Sequence, residues 1–471
     1  MRPVPSPARW IIGLIAALVM GIACESSPGT QQQAQPTASP EPRPRATDDP
    51  APQERCPTAD YPAPDPDRPR YRLNVRIDPI AHLVTGDLVV RFTPDLATDR
   101  VVFRLWPNGP RDDGGAELSV SRIRIDERAV EVTRPDPTIV TAHAVKEIPA
   151  GETIAASLEW TLRLPSEVYD RISQSGIAIH LGSFFPLLPW VPGEGWVMDP
   201  PIQSLAEASI SPIADFHVRV TGVPDPSVIA SGTRTGPGRW TATAVRDFAL
   251  AAGDFETATG TAHAPTPVRV LVGVHASVGP PAKSFVDHAA LALERLSRRF
   301  GPYPWPTLSM AIVPGLGSAG IEYPTMIFQG DRSLSFATTH EVAHQWFYSL
   351  VGSNPARHPW MDESLATYSN AISDDTIDFF RDASIPGEVA HRLGAPMSFW
   401  DRHEDAYFEG VYVQGVKALD SLGSAATVDC ALKKYVAAHA YGIAEPDDLL
   451  DALTDQIPRA RARLRSFGVT G

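Results

Sequence analysis

The stretch SFATTHEVAHQWFYSLV, residues 335–351, decides how this chain is read. It predicts a helix stopped by Gly352. Within it, HEVAH places His340 and His344 four residues apart, so both imidazoles lie on one helix face and can point at one ion. Two neutral imidazoles suit zinc. Glu341, one residue along, can approach a metal-polarised water without being a ligand and take its proton. The site needs a third ligand. Glu363, nineteen residues beyond His344 in WMDESLATY, opens the next helical segment, roughly 361–373. A Gly-containing connection lets that helix return against the first. Two His and one Glu leave a fourth position for water, the open geometry of a catalytic zinc. Asp362 competes with Glu363 by adjacency. A structural zinc normally closes all four positions, often with cysteine, and no cysteine lies near.

Outward from this segment the hydrophobic period changes. In AKSFVDHAALALERLSRRF (282–300), Phe285, Val286, Ala289, Ala290, Leu293, Leu296 and Phe300 trace one helical stripe, broken by GPYPWP. LSMAIVP reads as a strand and GSAGIEYP as a loop. Towards the N-terminus the period is two: YRLNVRID alternates cleanly from Tyr71, and DLVVRF, VVFRL, FHVRV and VRVLVGV follow the same pattern between turn residues. The predicted fold class is therefore α+β, with a mostly antiparallel β domain over 61–275 and a mainly helical domain over 276–471.

The first sixty residues read differently. Arg2 and Arg9 precede WIIGLIAALVMGIA, an apolar run of fourteen residues, too short for a comfortable membrane span and suited to an export signal. It ends at Cys24, so residues 1–24 resemble a bacterial lipoprotein signal in which that cysteine carries the lipid; an ordinary cleaved signal is the alternative. Residues 25–60, rich in Pro, Gln, Ser and Thr, predict a disordered tether to the membrane. The chain is thus expected at the cell surface or the periplasmic side of a membrane. Cys56 and Cys430 then remain, to pair or to stay as thiols. A net charge of −14 without a long basic block argues against a nucleic-acid partner.

Three motifs in order, HEVAHQWF with Glu363, SAGIEYP upstream and AYFEGVYVQGVKAL downstream, together resemble the gluzincin metallopeptidases of the aminopeptidase N and leukotriene A4 hydrolase family. The resemblance covers about 61–450, and FGPYPWP is similar to the family's entry to a thermolysin-like catalytic domain. It implies one zinc per chain on His340, His344 and Glu363, with Glu341 as general base. It also implies that Glu322 binds the free α-amine of a peptide and that Tyr412 steadies the oxyanion, with Tyr407 a lesser candidate for the same site. Several positions depart from the family pattern. Ile321 and Gln414 replace Met and Lys, Asp362-Glu363-Ser364 replaces Asn-Glu-Gly, and Asn370 stands where a glutamate is expected. Asn370 can still accept from a ligand imidazole, without charge. The family's long helical C-terminal domain has no counterpart up to Gly471, which implies a more open site. The expected function is removal of N-terminal residues from peptides. The alternatives are an endopeptidase or other hydrolase on the same zinc, or a surface binding protein with a degenerate site.

Overall fold

In the computed structural model, which describes residue 56 and residues 60–110, 115–165, 171–203 and 210–470, the alternation of YRLNVRID becomes the strand Arg70–Asp78. Tyr71, Leu73, Val75 and Ile77 point into the core and the residues between them outwards. This strand lies inside an eight-stranded sheet, antiparallel to Leu83–Phe92 and parallel to Ala214–Thr221. The remaining pairings of that sheet are antiparallel. The export signal, Cys24 and the tether, apart from Cys56 and Asp60, lie outside the described residues.

Three parts of the sequence reading change: GSAGIEYP, read as a loop, contains the strand Gly320–Tyr323, the helix of HEVAH ends before Gly352, and two strands change sheet. The strands Phe255–His263 and Pro267–His275, placed with the β domain on their period-two pattern, do not join its sheet. They belong to a five-stranded sheet with Thr307–Ile312, Met326–Gln329 and Gly320–Tyr323, under the helices that carry the metal motif. Periodicity reports which face of a strand is buried, not which sheet it enters. Pro267–His275 and Thr307–Ile312 run parallel. The crossover between them is helix α1 (Ala282–Phe300), whose apolar stripe is buried from Ala282 to Phe300 and which stops where Gly301 takes φ 109.

Helix α2 (Leu334–Ala343) packs against α1, against helix α3 (Trp360–Ser373) and against the sheet edge Gly320–Tyr323. After an exposed Ser335 in its first turn it is covered on all sides, and from Ala337 to Ala343 every residue is buried, Thr338 and Thr339 included. It ends at Ala343 instead of continuing to Gly352. Gln345 and Trp346 donate to carbonyls only three residues back, Ser349 donates to His344, and Tyr348 turns to φ 129. The cause is competition: the fully buried Arg246 guanidinium takes the Tyr348 carbonyl at 2.8 Å and also reaches the Ser211 and Leu350 carbonyls. That pins the segment after the motif onto the N-terminal domain.

A second clasp binds the domains just before α3. Arg357 pairs with Glu194 and Asp199, and Asn354 donates to Asp199 at 2.9 Å. A covalent one answers the cysteine question: Cys56 and Cys430 form a disulfide, Cα atoms 5.5 Å apart, which fastens the start of the folded region to the helix Ala425–His439.

Candidate metal centre

His340 sits in the last turn of α2 and His344 one turn on, at its C-cap. Their rings meet nearly at right angles, centroids 4.7 Å apart, and their Nε2 atoms stand 3.1 Å from each other. Glu363 enters from the first turn of α3, its Oε2 3.2 Å from His340 Nε2 and 3.5 Å from His344 Nε2. Three buried ligand atoms thus converge on one point. Asp362, the competitor, is excluded from the cluster because its Oδ1 accepts from the Glu363 N–H at 2.8 Å.

The donors fit a divalent cation. His344 Nδ1 donates to the Phe347 carbonyl at 3.0 Å, which leaves the Nε2 lone pair facing the centre. Burial alone would push the His344 imidazolium down, but Glu363 and, further off, Glu322 and Glu341 override it and lift the group to about 10. Burial likewise pushes Glu363 up, and the two histidines override it, holding the carboxyl well below the usual range. Both shifts say that positive charge is favoured where the three ligand atoms meet. Two imidazole nitrogens and one carboxylate, with no fourth protein ligand among the described residues, match the open zinc arrangement.

Asn370 does not do what the sequence suggested. Its side-chain amide turns along its own helix and donates to Asp374 at 2.9 Å, and its Oδ1 has no hydrogen-bond partner among the described residues, as is also true of His340 Nδ1. The Asp374 carboxylate captures the Asn370 Nδ2 and so fixes which way the amide turns.

Around the centre stand the other residues singled out. Glu341 is buried, its Oε2 without a hydrogen-bond partner among the described residues. Burial pushes its carboxyl well above the usual range, reinforced by Glu322 and Glu363 and opposed by His344. Glu341 lies directly against Gly320, where an added Cβ would overlap its carboxylate. Glu322, on the edge strand, brings a carboxylate oxygen within 4.8 Å of ligand atoms of Glu341 and His344. Tyr412 belongs to a single π-helical segment, Phe408–Val413, and its ring stacks on that of His340 at 5.9 Å. Tyr407 stands behind it, edge-on to Tyr412 at 5.7 Å and packed on Trp400. Gln414 donates to the Gly410 carbonyl at 2.9 Å and accepts from the His391 N–H, so it braces the π segment.

Two buried residues of the site escaped the sequence reading. Gln345 clasps the hairpin that carries Glu322, and Arg171 pairs with Glu322 itself. Gln345 could have been suspected as a polar residue in a wholly buried helix end. Arg171, in a segment with no motif, gave no signal.

Residues 286–467 match the model of the Peptidase family M1 domain. This segment, which carries His340, His344 and Glu363, is similar to family M1. Across 88% of this chain the fold is similar to that of a two-domain M1 zinc metallopeptidase solved with L-arginine, with a TM-score of 0.62, 21% identity and 97% of that chain covered. An M1 zinc metallopeptidase from Deinococcus radiodurans gives 0.60 at 21% identity, covering 88% of this chain and 97% of its own. Among curated relatives, Aminopeptidase M1 of Arabidopsis thaliana is 24% identical over 183 residues, 32% of this chain and 21% of its own length. Aminopeptidase N of Lactobacillus delbrueckii subsp. lactis is 26% identical over 227 residues, 39% of this chain and 26% of its own. The chain therefore spans about a quarter of the length of these curated relatives.

Proposed function

We propose that this chain is a zinc aminopeptidase. The observation that carries the reading is the buried convergence of His340, His344 and Glu363 with two further carboxylates, Glu341 and Glu322, at the same centre. A structural metal site would have no use for a buried carboxylate left without a hydrogen bond, as Glu341 Oε2 is. Zinc held by the three ligands would polarise a water and the scissile carbonyl. Glu341 accepts the proton of the attacking water and returns it to the departing amine nitrogen. The Tyr412 hydroxyl donates to the developing oxyanion, from a ring fixed against His340. Glu322 pairs with the ammonium of the peptide's first residue and sets the register for removing one residue. Glu322 is on the rigid edge strand, registered against Ile327, so its distance from the ligands is set by a sheet and not by a loop.

The test is one peptide in free and acetylated forms, with the wild type and Glu322→Ala. The free peptide should be cleaved strongly by the wild type only, and the acetylated one poorly by both. Cleavage of the acetylated peptide at an internal bond, as fast as the free one, would establish an endopeptidase.

We further propose that the protein is exported and held at a membrane by lipid on Cys24. The support is the charged-then-apolar segment ending in GIAC and the Pro-rich stretch that follows. No helix among the described residues is long and apolar enough to cross a membrane.

A further inference from the structure

Glu322 does not stand alone on its edge strand. Arg171, which reaches it from the N-terminal domain across 151 positions of sequence, donates from Nη2 to Oε1 at 2.8 Å. The arginine side chain is 2% exposed and the glutamate 12%. The guanidinium also lies over the Tyr323 ring, 5.2 Å from its centroid. Glu322 therefore meets a cation on one side and, on the other, the Glu341 carboxylate and His344 within 4.8 Å.

We propose that Arg171 is a positioning residue for substrate specificity: it aims the Glu322 carboxylate at the amino terminus of the peptide. The inference rests on the reading of Glu322 as the amine anchor. Two carboxylates this close repel each other, and the cheapest relief for an unrestrained Glu322 is to rotate away. A guanidinium fixed in the opposite domain removes that freedom. A single nitrogen on Oε1 leaves the second oxygen for an incoming ammonium. Arginine suits the task better than lysine because its planar fork holds a direction while remaining charged in a buried place. Arg171 is itself held by the packing of its ring neighbour: Tyr323 is wholly buried, its hydroxyl so close to Gly182 that a Cβ there would overlap it. The amine anchor is thus assembled from both domains, the carboxylate from the catalytic half and its aim from the β domain.

The readout is the ratio of kcat/KM for a free-amine peptide to that for its acetylated form, a quantity that general loosening of the fold does not move. It is measured for the wild type, Arg171→Gln, Arg171→Lys, Glu322→Gln and the Arg171→Gln/Glu322→Gln double variant, each loaded with zinc. Losing a charge-assisted bond of this kind should lower the ratio by about tenfold or more in Arg171→Gln, through KM more than kcat. Arg171→Lys should recover part of it. In the Glu322→Gln background Arg171→Gln should change nothing further, because the arginine acts through the glutamate. If Arg171→Gln fails to fold, Arg171→Lys reads the same ratio and should fall between the wild type and Glu322→Gln. A ratio unchanged in the arginine variants while Glu322→Gln collapses it overturns the role of Arg171 and leaves the anchor standing. A wild type that does not distinguish the two peptides overturns the anchor, and with it this inference.

Discussion

The side chain of Gln345 is bonded on both ends to the hairpin that carries Glu322: its Nε2 donates to the Tyr323 carbonyl at 3.0 Å, at the end of the strand, and its Oε1 accepts from the Thr325 N–H at 2.9 Å, in the turn that follows. The residue next to His344 therefore ties down the residue next to Glu322. Gln345→Ala strands a buried carbonyl and a buried N–H. It should lower unfolding free energy by about 2–6 kcal/mol, at about 1–3 kcal/mol for each of the two orphaned groups. Denaturant unfolding of the zinc-loaded protein measures this, and an unchanged midpoint would show that the clasp contributes nothing.

Gly320 is the wall behind Glu341. A methyl there would occupy the space of the carboxylate. Gly320→Ala should keep zinc, since none of the three ligands is touched, while turnover falls by about 10², the usual penalty for displacing a reacting group by an ångström. Zinc content and kcat on the same preparation decide it, and full turnover would mean that Glu341 tolerates being moved.

Tyr412, stacked on His340, should be the oxyanion donor, and Tyr407, behind it, should not. Tyr412→Phe keeps the ring and removes the hydroxyl, so kcat should drop by about 10²–10³ with little change in KM. The reverse pattern, with Tyr407→Phe the damaging change, would exchange their roles.

How much of this was legible in the sequence depended on whether a residue's role was local. The metal ligands were legible because i,i+4 spacing on a helix is a local geometric fact, and His340 and His344 face one point as that spacing requires. Spacing alone does not separate Glu363 from Asp362; a backbone N–H that captures Asp362 turns it away while Glu363 faces the two histidines. Strand alternation located the β core but not the sheet that Phe255–His263 and Pro267–His275 enter, because sheet partners are chosen by long-range pairing. The early end of α2 was invisible for the same reason: the Arg246 that captures the Tyr348 carbonyl is 102 residues away. Arg171 was beyond reach altogether, since its meaning lies only in the carboxylate it meets.

The disulfide joins residues 374 positions apart and encloses both domains. Cross-linking so long a loop restricts the unfolded chain, by up to about 5 kcal/mol on chain-entropy grounds. Cys430→Ser should lower the denaturation midpoint while leaving zinc content and kcat near the wild-type values. Unchanged stability would show that the clasp of Arg246 and Arg357 between the domains suffices.

Membrane attachment is checked by metabolic labelling with a fatty-acid probe. The wild type should be labelled and sediment with membranes, and Cys24→Ser should be unlabelled. An unlabelled wild type would remove the anchor.

The central claim is that His340, His344 and Glu363 hold zinc and that Glu341 is the base acting beside it. The direct measurement is zinc per chain together with hydrolysis of an amino-acid amide, in the wild type and in Glu341→Gln. The account predicts about one zinc in both proteins, because Glu341 is not a ligand, and hydrolysis only in the wild type, because the amide cannot take the proton of water. A reconstituted wild type without metal, or Glu341→Gln turning over near the wild-type rate, would contradict it.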